Sequence, residues 1–212
     1  MAASPDSPVH VNQRIAQLFA LVTEALAGAT DALLRTDVLH AEAIIAADRS
    51  VDELTEELVQ IVWGEIARSA GDLPELRRLV SVLLILPELE RSADLAEHIA
   101  QRAVTRLGSE MTAVSRGIVQ RMSDVAVDMW QATGDAYASR ALAGVALDAA
   151  DEELDLLRDR LVAEVAAGAM TSMVSGQVTL LGRFYERLGD HAVNLARRIE
   201  SFADPGGPRT AD

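Results

Sequence analysis

The stretch LLGRFYERLGDHAVNLARRI, residues 180–199, decides the fold. Its apolar residues Leu181, Tyr185, Leu188, Ala192, Leu195 and Ile199 recur by alternate steps of four and three. That step draws one stripe along a helix, whereas a strand would alternate by two. Glu186 and Asp190 lie on one flank of the stripe, four residues apart, so their carboxylates share a helix face. The same arrangement occurs upstream. Ile85, Leu89, Ser92, Ala96 and Ile99 form a stripe, with Glu90 and Asp94 on the matching flank.

Working outward, helical periodicity covers nearly the whole chain and predicts six helices, at about 11–35, 37–69, 73–107, 110–133, 135–167 and 171–203. Gly71-Asp72, Gly108-Ser109 and Gly134-Asp135 read as stop and N-cap signals, Thr36-Asp37 and Thr171 as further N-caps, and Pro74 as a first-turn residue. Pro87 is expected to kink the third helix. Residues 1–10 and 204–212 carry the Pro, Ser and Gly content of disordered ends. Connections this short make neighbouring helices antiparallel. The expected fold is all-α and elongated. Trp63 and Trp130 are expected to fill the core.

The two halves repeat. Asp48 and Asp52 in DRSVDEL have counterparts 103 residues later in Asp151 and Asp155 of DEELDLL. Glu90 and Asp94 have counterparts 96 residues later in Glu186 and Asp190. Two motifs in the same order at nearly the same spacing indicate a duplication. Residues 11–108 and 109–203 are each expected to form a three-helix bundle, related by pseudo-symmetry.

Four pairs of acids at a spacing of four call for a reason, because like charges so placed cost a few tenths of a kcal/mol each in an isolated helix. One reading is a metal site. Two carboxylates on one helix, facing two on the next, offer four oxygens to Fe, Mn, Mg, Ca or Zn. The plainer reading is a solvated face, with Arg91 and Arg187 neutralising their neighbours. Placement in both halves favours metal. His191 lies across the helix from its acid pair and is read as a surface or inter-helix histidine. His98 stays ambiguous and His40 is read as solvated.

Composition narrows the classes. The chain has 212 residues, a formal charge of −14, 50% hydrophobic residues and 3% aromatic ones. Its core must be built from Ala, Leu, Val and Ile. The charge argues against nucleic acid and anionic lipid. No Cys is present, which removes disulfides and thiolate sites. There is no Lys either, so a Walker-type P-loop is excluded. The start, MAASPDSPVH, lacks a signal-peptide pattern, and the apolar run at Leu79–Leu86 is too short to cross a bilayer. A cytoplasmic protein without direct membrane insertion is expected.

Residues 180–199 resemble the second signature of the PhoU family, in which Glu186, Arg187, Gly189, Asp190, His191, Ala192 and Asn194 match. ELERSADLAEHIA, 88–100, resembles the first signature through Glu90, Arg91, Asp94, Ala96 and Ala100. It departs from it at Ser92, Ala93 and His98. The resemblance covers about residues 12–203. It implies two three-helix bundles and a negative regulator of the phosphate-starvation response. It also implies an adaptor between the ATP-binding subunit of a phosphate ABC transporter and a sensor histidine kinase, with dimers in many members. By position it implies metal ligands Asp48, Asp52, Glu90 and Asp94 in the first bundle and Asp151, Asp155, Glu186 and Asp190 in the second. The competing readings are a metal-dependent helical-bundle enzyme, either a hydrolase or a di-metal oxidase, a purely structural bundle, and a PhoU-like regulator of another transport system. Against a ferritin-like di-iron site, no Glu-x-x-His is present, since Leu95 and Leu188 stand three residues before His98 and His191. No enzyme is expected.

Overall fold

The computed structural model describes residues 8–69, 71–139 and 144–203. Seven helices and no strand occur among them. They are α1 (Pro8–Arg35), α2 (Val38–Arg68), α3 (Leu73–Val104), the one-turn α4 (Leu107–Glu110), α5 (Ala113–Ser139), α6 (Gly144–Ala166) and α7 (Ser172–Ala203). The expected disorder through residue 10 overreaches, since helix already begins at Pro8. The expected tail from 204 lies outside the described residues, as do residues 1–7.

Local caps fix several boundaries. The Asp37 carboxylate accepts from the His40 amide at 3.0 Å and that of Asp72 from the Glu75 amide at 3.4 Å. The Thr171 hydroxyl accepts from the Val174 amide at 3.3 Å. Each satisfies one of the orphan donors of a first turn. Gly71 ends its connection with φ +91°, and Gly168 follows α6 with φ +78°. α3 is continuous from Leu73 to Val104 with Pro87 inside it.

Two glycines were expected to stop helices and do something else. Gly134 lies within α5, where a Cβ would sit 3.3 Å from Phe19 Cβ of α1. It lets two helices approach, and the helix runs on to Ser139. The break at Gly108 likewise falls earlier, at Arg106, a non-glycine residue with φ +60°. Gly108 is buried in α4 against the Leu33 carbonyl at the end of α1.

α1, α2 and α3 pack on one another, as do α5, α6 and α7. The two groups meet through α1 against α5 and α3 against α7. α2 and α6 are therefore the outer helices. One hydrophobic cluster runs through both groups, from Val11 and Ile15 of α1 to Leu195 and Ile199 of α7. Buried polar contacts pin the seam. Thr30 and Tyr185 share a hydrogen bond at 2.7 Å, and Ser92 and His191 Nδ1 share one at 2.9 Å. Burial raises the Tyr185 pKa, so the phenol is neutral.

α1 supplies much of this core. By length and composition its stretch His10–Arg35 is apolar enough to cross a bilayer, which the reading of apolar runs missed. Polar residues such as Asn12, Gln13, Thr23 and Glu24 break up those runs without lowering the average. Here its stripe of Ile15, Leu18, Val22 and Leu26 is fully buried. Trp63 is 56% exposed, contrary to expectation, because among the described residues α2 packs chiefly on α1 and α3 and leaves its outer side open. Trp130 is fully buried, as expected.

Candidate functional site: two acid clusters at the α2–α3 and α6–α7 seams

α2 and α3 bring the four acids of the first half to one seam. Asp48, Asp52 and Thr55 follow each other at steps of four and three, so they share a face of α2. Glu90 and Asp94 share a face of α3. Burial pushes the Asp48 pKa up to about 6, and the charges of Asp52, Glu97, Asp94 and Glu90 add to it. Glu90 is raised by burial, then by Asp52 and Asp94. Asp94 is raised by burial and Asp52, while His98 pulls it down. α2 and α3 pack on each other, and acids of one helix raise the pKa of acids on the other. Among the described residues none of these four acids forms an ion pair. Arg49 turns to Glu53, and Arg91 to Glu88 and the Pro87 carbonyl. Thr55 is 5% exposed and its hydroxyl has no hydrogen-bond partner.

α6 and α7 repeat the arrangement with a difference. Burial raises Asp151 to about 6, followed by the charges of Asp190, Asp155 and Asp148. Gly189 lets this happen: a Cβ there would stand 2.8 Å from Asp151 Oδ1 and 2.7 Å from Leu154 Cδ1. Glu186, however, is paired with Arg183 and lies 3.6 Å from Arg158. Arg158 also reaches Asp155 at 3.7 Å and Asp159 at 3.3 Å. Arg158 and Arg183 thus neutralise the second set. Of the two arginines singled out in the sequence, Arg91 pairs with Glu88 at 3.8 Å and its charge pulls the Glu90 pKa down, whereas Arg187 is exposed.

Among the described residues, no three acidic or histidine side chains are gathered closely enough to form a ready coordination sphere. The α2–α3 set nevertheless offers the donor type a hard cation takes: carboxylate oxygens on two packed helices, raised by one another's charge and in no ion pair among the described residues. The α6–α7 set is partly neutralised by its own arginines.

The histidines sort as follows. His191 is buried and inter-helix, held by Ser92, with Nε2 3.8 Å from Glu88. Burial lowers its pKa, and Glu88 opposes this. His98 stacks on Phe184 of α7 at 5.6 Å, which explains a histidine in this position of the first signature. His40 is exposed. Asn194 is also exposed.

The raised carboxylates predict a pH dependence. Unfolded carboxylates titrate near ~4, whereas folded Asp48 and Asp151 hold their protons to about 6. The folded chain binds more protons between those values. Their contribution to stability is therefore complete below about pH 4 and is lost as pH rises through about 6. Buried His191 acts in the opposite sense, because its lowered pKa costs stability as pH falls through the ordinary histidine range. The double variant Asp48→Asn with Asp151→Asn isolates the carboxylate part: it should raise the melting temperature of metal-free protein near pH 7.5 more than near pH 5.5, by a few degrees at most because both groups are partly exposed. An equal effect at both pH values in circular-dichroism melts would contradict the assignment.

The chain is an all-α protein built from two successive three-helix units packed on each other. The PhoU domain family model matches residues 15–103 and 119–199. This chain belongs to the PhoU family. It is 25% identical over its whole length to a phosphate-specific transport system accessory protein PhoU homolog of Rhizobium meliloti, covering 93% of that protein. It is 28% identical over 89% of its length to PhoU homolog 1 of Mycobacterium leprae, covering 87% of that relative. Among solved structures it resembles PhoU from Pseudomonas aeruginosa. The TM-score is 0.83 at 21% identity, covering 91% of this chain and 94% of that one. It also resembles the phosphate transport system regulatory protein PhoU from Streptococcus pneumoniae. There the TM-score is 0.80 at 19% identity, covering 92% and 93%.

Proposed function

We propose that this chain is a cytoplasmic regulator of phosphate uptake, acting as a binding module and not as a catalyst. It would contact the ATP-binding subunit of a phosphate ABC transporter and a sensor histidine kinase, so that transport status biases kinase output. Such coupling needs two partners whose affinities for this chain depend on one another. A homodimer is the expected assembly. The observation that carries the reading is the twofold PhoU-domain match across nearly the whole chain. The relatives' names place them with phosphate-specific transport.

In this reading the acid seams take a divalent or trivalent cation. The support is the set of unpaired, mutually repelling carboxylates between α2 and α3. A cation drawn between the helices would relieve that repulsion and stiffen α2 against α3. The experiment is co-purification of the full chain with the ATP-binding subunit of the transporter from the same bacterium, with and without Mn²⁺. A stable complex is expected, and Asp52→Asn with Asp94→Asn should remove any dependence on Mn²⁺. No complex in either condition would overturn the adaptor role.

A further inference from the structure

We infer that the outer face of α6, beside α5, docks an acidic amphipathic helix of a partner protein. Leu156 and Ala163 form the apolar floor, and Arg160 supplies the cation. The inference rests on the reading of this chain as a binding module. It uses a face of α6 other than the one that carries Asp151 and Asp155.

The duplication supplies a comparison within one chain. Val11, Ile15, Val22 and Thr30 of α1 recur as Val114, Ile118, Val125 and Thr133 of α5, each 103 residues later. The same step relates α2 to α6, so the two helix pairs can be matched position by position. In the first copy the outer groove is covered by charge. Arg14 of α1 reaches Glu57 of α2 at 2.6 Å, and Glu53 stands one turn before it. In the second copy Gly117 stands for Arg14, Arg160 for Glu57, Leu156 for Glu53 and Ala163 for Gln60. The bridge is gone, and three polar side chains have given way to apolar ones or to none.

The packing follows the substitutions. Leu156 is 65% exposed. Val114 is 58% exposed, whereas its counterpart Val11 is fully buried. A groove of about 480 Å³ runs along α6 at Leu156, Leu157, Arg160 and Ala163. Contacts of Arg121 with Glu153 and of Thr112 with Glu164, both at 2.7 Å, set Gly117 of α5 level with this stretch. A Cβ at Gly117 would meet nothing within 4 Å, so the α5 side is open. Leu156, Arg160 and Ala163 recur by four and three, the spacing that receives the ridge of another helix. The charges select the occupant. Glu153 is matched by Arg121 and Asp159 by Arg158 at 3.3 Å, while Arg160 has no ion pair among the described residues. The charge left over is positive, on a chain of formal charge −14. A helix that fits supplies a carboxylate beside its apolar residues. A lone exposed leucine would call for no partner. Here an apolar floor, an open wall and an unmatched cation coincide.

The test is fluorescence anisotropy of the full chain with a synthetic peptide of about 18 residues, long enough to hold a helix, with Leu along one face and Glu beside it. A matched peptide carries Lys in place of Glu. Wild type should bind the Glu peptide, and the Lys peptide about tenfold more weakly. Arg160→Glu should reverse that order. Leu156→Glu should lose binding. Gly117→Arg with Arg160→Glu rebuilds the bridge of the first copy and should also lose it. Leu39→Ser, at an exposed leucine of α2, should bind as wild type does. All changed side chains are exposed, and circular dichroism checks that each variant keeps its helices. No binding by wild type, equal binding of both peptides, or full binding by Leu156→Glu would overturn the inference. A wild-type dimer that Leu156→Glu turns into a monomer in sedimentation would overturn it too, since a second copy would then cover the groove. Co-purification with the ATP-binding subunit that persists in Leu156→Glu, with no peptide bound by wild type, would remove this groove and leave the adaptor role standing.

Discussion

Trp130→Ala should cost about 4 kcal/mol of folding stability, the scale of a large aromatic removed from a packed core. The indole is fully buried in α5, with its ring 6.1 Å from that of Phe19 on α1. Its Nε1–H donates to the Leu188 carbonyl of α7 at 3.1 Å. One side chain thus joins the seam between the two repeats to the helix that carries Glu186 and Asp190. Trp130→Phe keeps most of the ring and loses the hydrogen bond, so about 1–2 kcal/mol is expected. Trp63→Ala is the matched control. That indole is 56% exposed, and its loss should stay within about 0.5 kcal/mol. Urea titrations of the three variants check the order. Equal losses at Trp63 and Trp130 would contradict the packing described.

Gly108→Ala should be nearly as damaging, at about 3 kcal/mol, because overpacking against backbone leaves nothing flexible to yield. A Cβ at Gly108 would collide with the Leu33 carbonyl oxygen. The same junction is tied by Arg116, whose guanidinium donates to the Gly108 and Leu34 carbonyls. These carbonyls belong to helix ends, where no amide remains to pair with them. The short α4 and the end of α1 are thus clamped by one cation. Gly117→Ala is the contrast: it lies exposed in α5, and an added Cβ meets nothing within 4 Å. It should stabilise by up to about 1 kcal/mol through helix propensity alone. A thermal melt of both variants reads the difference as opposite shifts. A Gly108→Ala melt at the wild-type temperature would refute the close approach.

These two sites also mark what could be read from sequence. Asp37, Asp72 and Thr171 were legible as caps because a cap is a local bond, three residues long. The stripe through Tyr185, Leu188 and Leu195 was legible because periodicity reports burial directly. Gly108 and Gly134 were misread as stops. A glycine needed for a turn and one needed for a neighbour look the same until the neighbour, Leu33 or Phe19, is known. Trp63 was misplaced for a similar reason: its size says nothing about whether α2 is an inner or an outer helix.

The acid pairs stood out as same-face carboxylates, and facing helices bring them to two seams. The roles of Arg158 and Arg183 did not stand out. Arg183 is three residues from Glu186, a spacing that abundant charges reach by chance. Arg158 reaches Glu186 only across the α6–α7 seam. His98 was ambiguous because its partner, Phe184, comes from the other repeat.

A regulator of phosphate uptake must hold the starvation response down while phosphate is plentiful. Deleting this chain's gene in its own bacterium, in phosphate-replete medium, should therefore give high output from a phosphate-starvation reporter, restored to low output by the wild-type chain. Unchanged low output in the deletion strain, with phosphate uptake also unchanged, would contradict it.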